Sequence, residues 1–218
     1  MSIITIERNV LEKNDGVATL NRSLLKEHRV FSVNLLSSPG AGKTSVLERT
    51  LESLRGCLRV GVIEGDVQTD LDGRRVACFG VPVVQIVTNG ACHLEAHLVQ
   101  QALRNIDVRQ LDLLVIENVG NLVCPASYDL GEALKVVVIS TTEGDDKPLK
   151  YPSMFRRAAA VLINKIDLLP YVNCNLVALK QNALNINPYL KVFETSCTTG
   201  SGIAAWCDWL QEQCARSS

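Results

Sequence analysis

The chain has 218 residues, 47 % of them hydrophobic and 21 % charged, with a formal net charge of -1. This composition suits one globular α/β domain with a sizeable core and excludes a disordered or collagen-like chain. The near-neutral charge excludes a general attraction to nucleic acid or to an anionic membrane, so any phosphate-binding role has to come from a local site.

No stretch has the basic start and apolar run of a secretory signal, and none has the length of a membrane span. A soluble, cytoplasmic protein is therefore expected, with no nucleic-acid or membrane partner. In a reducing cytosol the eight cysteines are expected to be mostly buried thiols, with a ligand or two among them.

In chain order, the polar stretch from about Glu12 to Arg29 reads as a helix laid against the core, making residues 1–29 an N-terminal extension of a single domain spanning 1–218. Short β-branched runs follow at 30–36, 59–66, 81–87, 111–120, 134–141 and 159–168, with helical stretches between them. Near-continuous apolar strands separated by helices predict a doubly wound, mostly parallel sheet flanked by helices on both faces.

Directly after the first strand comes "SSPGAGKT", Ser37 to Thr44, leading into the helical spacing of "SVLERTLESL". This is a phosphate-binding P-loop in its required strand-turn-helix context. The cradle runs from Gly40 through Ala41, Gly42, Lys43 and Thr44 to Ser45. Its glycines let backbone N–H groups face the phosphates, Lys43 reaches the β/γ oxygens and Thr44 ligates magnesium at the helix N-terminus. The full pattern has glycine where Ser37 stands.

Two acidic strand ends follow, "EGD" with Asp66 and "ENVG" with Glu117 and Gly120. Both are expected at the carboxyl edge of the sheet, where ligands of open α/β sheets bind. "ENVG" resembles the D-x-x-G switch of GTPases with glutamate in place of aspartate: Glu117 would hold magnesium through water, and the Gly120 amide would meet the γ-phosphate. Asp66 is a second magnesium-binding or water-orienting candidate. Either carboxylate could instead cap the next helix.

Late in the chain "AAVLINKID" ends in Asn164, Lys165 and Asp167. An aspartate there can accept two hydrogen bonds from guanine, donors that adenine does not present in that arrangement, while the Lys165 stem lies along the base. The spacing resembles the guanine-specificity motif of GTPases. "ETSCTTG" resembles the loop that closes over the base, with Ser196 and Cys197 offering backbone amides to the guanine oxygen.

Together "SSPGAGKT", "EGDVQTDLD", "ACHLEAHLV", "IENVGNLVCPASYDLGE", "VVVISTTEGDDKPLKYP" and "NKIDLLPY" resemble the HypB family of hydrogenase-maturation GTPases, from about Leu24 to the C-terminus. The signature lysine of the nitrogenase-iron-protein and partition ATPases is replaced by Ser38, and the Cys-Pro-His of the urease-maturation GTPase reads Cys124-Pro125-Ala126. The resemblance implies a GTPase that binds GTP/GDP and magnesium and assists nickel insertion into nickel-iron hydrogenase. It also implies partners: a second copy in a homodimer, a HypA-type nickel metallochaperone and the hydrogenase large-subunit precursor.

The family's nickel or zinc site maps onto Cys92, His93 and Cys124. Cys92 is expected at the start of a helix that follows Asn89-Gly90, a position that favours the thiolate. Adjacent helical residues point about 100° apart, so Cys92 and His93 need not hold one ion together. Two thiolates fall short of the about four donors that zinc and four-coordinate nickel take, so two chains face to face would complete the set. His97 reads as structural. Metalloprotease chemistry fails because Leu94, not glutamate, follows His93.

Lys43, Thr44, Asp66 and Glu117 are the candidates for catalysis by positioning and charge stabilisation. No counterpart of an arginine finger stands out, which implies slow intrinsic hydrolysis. Two other readings stay open: a metal-binding chaperone in which nucleotide only fixes a conformation, and a P-loop small-molecule kinase.

Overall fold

Seven strands, all parallel, form one sheet in the order β3-β2-β4-β1-β5-β6-β7. They are β1 (Phe31–Ser37), β2 (Val60–Asp66), β3 (Val83–Val87), β4 (Leu113–Glu117), β5 (Leu134–Ser140), β6 (Ala160–Asn164) and β7 (Lys191–Glu194). The computed structural model describes residues 6–217. Every residue of β1, β4 and β6 is buried, as parallel strands covered on both faces require.

The helices are α1 (Ile6–Glu27), before β1, then α2 (Lys43–Leu54), α3 (Leu71–Ala77), α4 (Ala96–Leu103), α5 (Cys124–Ser127), α6 (Lys147–Lys150), α7 (Pro152–Arg157) and α8 (Leu176–Ile186) between strands, and α9 (Ile203–Ser217) after β7. The strands' alternation divides the core. Val33, Leu35, Val62 and Val115 pack with Val46, Leu47 and Leu51 of α2 and Trp206 and Leu210 of α9. On the opposite face Ile63, Leu114 and Ile116 pack with Leu25 of α1 and Val99 and Leu103 of α4. Val137, Ile139 and Val161 pack with Phe155 of α7 and Leu179 of α8.

The six predicted strands are present, and β7 was missed. With four residues and only Phe193 buried, this edge strand offers no run long enough to be read. The N-terminal helix begins at Ile6, earlier than expected, and ends at Glu27. Residues 1–5 of the expected N-terminal extension lie outside the described residues.

Two local expectations are corrected. Residues 91–95 do not start a helix: Asn89 and Gly90 take positive φ values of 51° and 111°, and α4 begins only at Ala96. The reason is that other elements take up the backbone donors, Leu94 N–H bonding Asn118 Oδ1 at 3.1 Å and Ala96 N–H bonding Asn14 Oδ1 at 2.8 Å. The cysteines are also less buried than expected. Only Cys207 and Cys214 are buried, Cys57 and Cys78 are exposed, and the remaining four are intermediate.

Candidate functional site

The carboxyl ends of β1, β2 and β4 surround a cavity of about 520 Å³ lined by Gly40, Lys43, Thr44, Asp66, Glu117, Gly120 and Lys165, among others. The loop after β1 turns through Gly40 and Gly42, at φ 76° and 97°, into α2, so the first-turn N–H groups of a helix of 12 residues point at the cavity. Ser37, where the full pattern has glycine, is fully buried and accepts a hydrogen bond from Lys43 Nζ at 3.0 Å.

Gly42 is fixed by its neighbours. A Cβ there would lie 2.6 Å from Asn164 Nδ2, which donates to Ala41 O at 3.1 Å, and Lys165 Nζ donates to Gly40 O at 2.7 Å. The end of β6 is thus bonded to the phosphate loop. Asn164, 1 % exposed, serves as that tie. Asp167 lies half-buried in a short 3-10 turn beyond it and accepts no hydrogen bond among the described residues. Ser196 departs from its expected part, since its N–H bonds Ser201 O at 3.0 Å. The Cys197 N–H has no such acceptor among the described residues.

Facing the phosphate loop, Glu117 accepts from Thr44 Oγ1 at 2.8 Å and lies 3.8 Å from Lys43 Nζ. Among the described residues its other oxygen has no partner other than the Glu64 carboxyl. In register on the neighbouring strand stands Glu64, 1 % exposed, a residue the sequence reading passed over. Burial, and then the adjacent Glu117, push the Glu64 carboxyl up to about 10, so it carries a proton at neutral pH. Burial also raises Glu117, against the pull of Lys43 and Thr44.

Asp66 is closer to solvent. Burial tends to raise its carboxyl, but bonds from Thr69 N–H at 2.6 Å and Gln68 N–H at 2.9 Å hold it below the usual range. Two further residues of α3, Asp72 and Arg75, line the cavity. Arg75 is an arginine the sequence did not single out, because its place depends on how α3 packs. Its guanidinium is held by Glu48 at 2.8 Å and Asp72 at 2.9 Å.

A second cluster forms on the same sheet edge. Cys92 and His93, from the loop after β3, meet Cys124, the first residue of α5, with their ligand atoms within 4.8 Å of one another. Because Cys92 and His93 lie in an irregular loop and not on a helix, both side chains turn to one point, which helical spacing alone had left open. Burial lowers the His93 imidazole below its ordinary value, against the field of Glu95, which favours the neutral, ligating form. Its ring packs tilted on that of Tyr128, centroids 3.9 Å apart, and its buried Nε2 lies 3.9 Å from Glu95 and has no hydrogen-bond partner among the described residues. Contact with Cys92, then burial, pushes the Cys124 thiol up. His97 is half-exposed beside Glu95 at 3.3 Å and outside the cluster.

A glycine-rich loop between a central parallel strand and a helix, facing acidic ends of the neighbouring strands, defines a P-loop nucleotide-binding protein. Residues 32–194 match the family "CobW/HypB/UreG, nucleotide-binding domain". The chain is 49 % identical over 211 residues to the hydrogenase maturation factor HypB of Azotobacter vinelandii, covering 97 % of this chain and 70 % of that protein. The crystal structure of HypB from Archaeoglobus fulgidus superposes with a TM-score of 0.88 at 40 % identity, covering 94 % of this chain and all of that one. HypB from Helicobacter pylori, solved in complex with nickel, gives 0.89 at 37 % identity over 94 % of this chain and 96 % of that one. The chain belongs to the HypB family.

Proposed function

We propose that the chain is a GTP-hydrolysing metallochaperone that takes nickel or zinc at Cys92, His93 and Cys124 and assists nickel insertion into a nickel-iron hydrogenase. The observation that carries this reading is that a single segment, from Glu117 to Cys124, leaves the nucleotide cavity and ends in the metal-ligand cluster. The family relation supports the hydrogenase client, and with it a HypA-type partner, the large-subunit precursor and a homodimer.

In this reading Gly40 to Ser45 cradle the phosphates, Lys43 neutralises their charge, and Asp167 with Lys165 reads guanine while Cys197 closes over it. The residues fit magnesium: the buried Glu117 carboxylate, the Thr44 hydroxyl bonded to it and Asp66, which lines the same cavity, form an acidic corner with Lys43 as its close cation. Bound there, magnesium would neutralise charge on the β/γ oxygens. Thr44, Glu117 and Asp66 would hold it and orient the attacking water, and Gly120 would meet the γ-phosphate. Nickel is cargo, outside the hydrolytic chemistry.

Single-turnover GTP hydrolysis and nickel release to a chelator, compared in native protein and Thr44→Ala, test the reading. Loss of the hydroxyl should slow hydrolysis about 100-fold or more and remove the stimulation of nickel release by GTP. Undiminished GTP-stimulated release without hydrolysis would show instead that nucleotide only fixes a conformation.

A further inference from the structure

Between the two sites stands Asn118, 1 % exposed, the first residue beyond β4. Its Oδ1 accepts two backbone N–H groups at once, from Val119 at 2.9 Å and from Leu94 at 3.1 Å. Val119 immediately precedes Gly120, and Leu94 immediately follows His93. One oxygen therefore joins the nucleotide-facing backbone to the backbone that carries two metal-ligand candidates. The amide cannot turn over to release them, because its Nδ2 donates to Asn34 Oδ1 at 3.2 Å, and Asn34, fully buried, is bonded in turn to Glu132.

Leu94 is clasped from the other side as well. Its fully buried side chain lies over Gly65, where a Cβ would come within 2.8 Å of Leu94 Cδ1. Gly65 stands between Glu64 and Asp66 at the end of β2. The His93–Leu94 peptide is thus held between the ends of the two acidic strands.

We propose that Asn118 is the positioning residue through which the Glu117–Gly120 segment sets the placement of Cys92 and His93. A movement of Gly120 displaces the Val119 N–H and, through the shared oxygen, the Leu94 N–H. Cys124 receives the same movement along the chain, since the four residues from Gly120 span at most about 14 Å. Nucleotide therefore acts on both halves of the cluster by different routes, hydrogen-bonded for one and covalent for the other. The inference rests on the reading above, that Gly120 meets the nucleotide and the cluster takes nickel.

The test is nickel affinity of the full chain, with magnesium and either GDP or a non-hydrolysable GTP analogue, in native protein and Asn118→Ala. The native protein should show an affinity ratio between the two nucleotide states of about fivefold or more. Asn118→Ala should still bind nickel but with a ratio less than about half the native one, since the covalent route to Cys124 remains. A purely structural role would weaken both affinities and leave their ratio alone. Should Asn118→Ala fail to fold, replacement of Leu94 by its α-hydroxy analogue removes the one N–H donor and leaves every side chain in place, with the same loss of ratio expected. A native ratio that survives either change overturns the role of Asn118 alone. A native ratio of unity overturns the nucleotide–metal coupling and this proposal with it.

Discussion

Asp167 is held by backbone and not by partners of its own. Lys165, at a positive φ of 61°, starts the 3-10 turn that carries it, and the carbonyl of Lys165 is fixed by Thr141 Oγ1 at 2.7 Å. A carboxylate placed this firmly without an acceptor role in the fold is suited to a ligand with paired donors. Asp167→Asn should weaken GTP by about 2–4 kcal/mol and leave ATP unchanged, read by calorimetric titration of each nucleotide. Equal losses would mean that Asp167 supports the fold. This residue was legible because its motif is local in sequence. Glu64 and Arg75 were not, because nothing in "VGVIEGD" or "LDGRRVA" says which residue will face Glu117 or the cavity until strand register and helix packing are set.

At the scale of elements, α1 does more than cover the core. Asn14, Ala18, Asn21 and Leu25 form its buried stripe, and two of the four are polar. Asn14 accepts from Ala96 N–H and donates to Asp129 O at 2.7 Å, while Asn21 donates to Ala96 O and Leu130 O. The helix therefore ties the end of the Cys92–His93 loop to the stretch beyond Cys124. The sequence showed a polar helix, but the use of its asparagines depends on contacts 75 to 115 residues away. The strap is closed by Arg22, whose guanidinium meets both oxygens of Asp129 at 2.6 and 2.7 Å. Burial tends to raise Asp129, but Arg22 and the Gly131 N–H hold it below the usual carboxylate range. A carboxyl lowered by folding stabilises the fold fully above its unfolded value of about 3.9 and ceases to do so as pH falls through the lower folded value. With Arg22 and Asp129 about two-fifths exposed, at 42 % and 38 %, the pair is worth about 1 kcal/mol at most. Arg22→Ala should lower the melting temperature at pH 7, and the gap to native protein should close as the pH falls below about 4. A gap independent of pH would remove the ion pair as its cause.

Across the whole molecule, both clusters draw on one edge of one sheet. The nucleotide cavity takes residues from the ends of β1, β2, β4 and β6, and the cysteine–histidine cluster takes them from the ends of β3 and β4, so β4 belongs to both. One chain brings three ligand atoms together, whereas zinc and four-coordinate nickel take about four. Among the described residues no fourth histidine, cysteine or carboxylate joins them, so a donor from outside the chain would complete the set. Val123, immediately before Cys124, is apolar and 59 % exposed, so a second copy packed at the cluster would cover it. If that copy supplies the donor, metal binding and dimerisation are linked, and nickel must strengthen the dimer by the same factor by which dimerisation strengthens nickel binding. Sedimentation across a dilution series, with and without nickel, should show tighter dimerisation with the ion present. Cys92→Ala and Cys124→Ala should abolish that response, whereas Ala at Cys57, Cys78, Cys174, Cys207 or Cys214, none of which belongs to the cluster, should leave it intact. One tightly held nickel per chain with dimerisation unchanged would place a water or a small-molecule ligand in the open position, and the protomer alone would then be the metal-carrying unit.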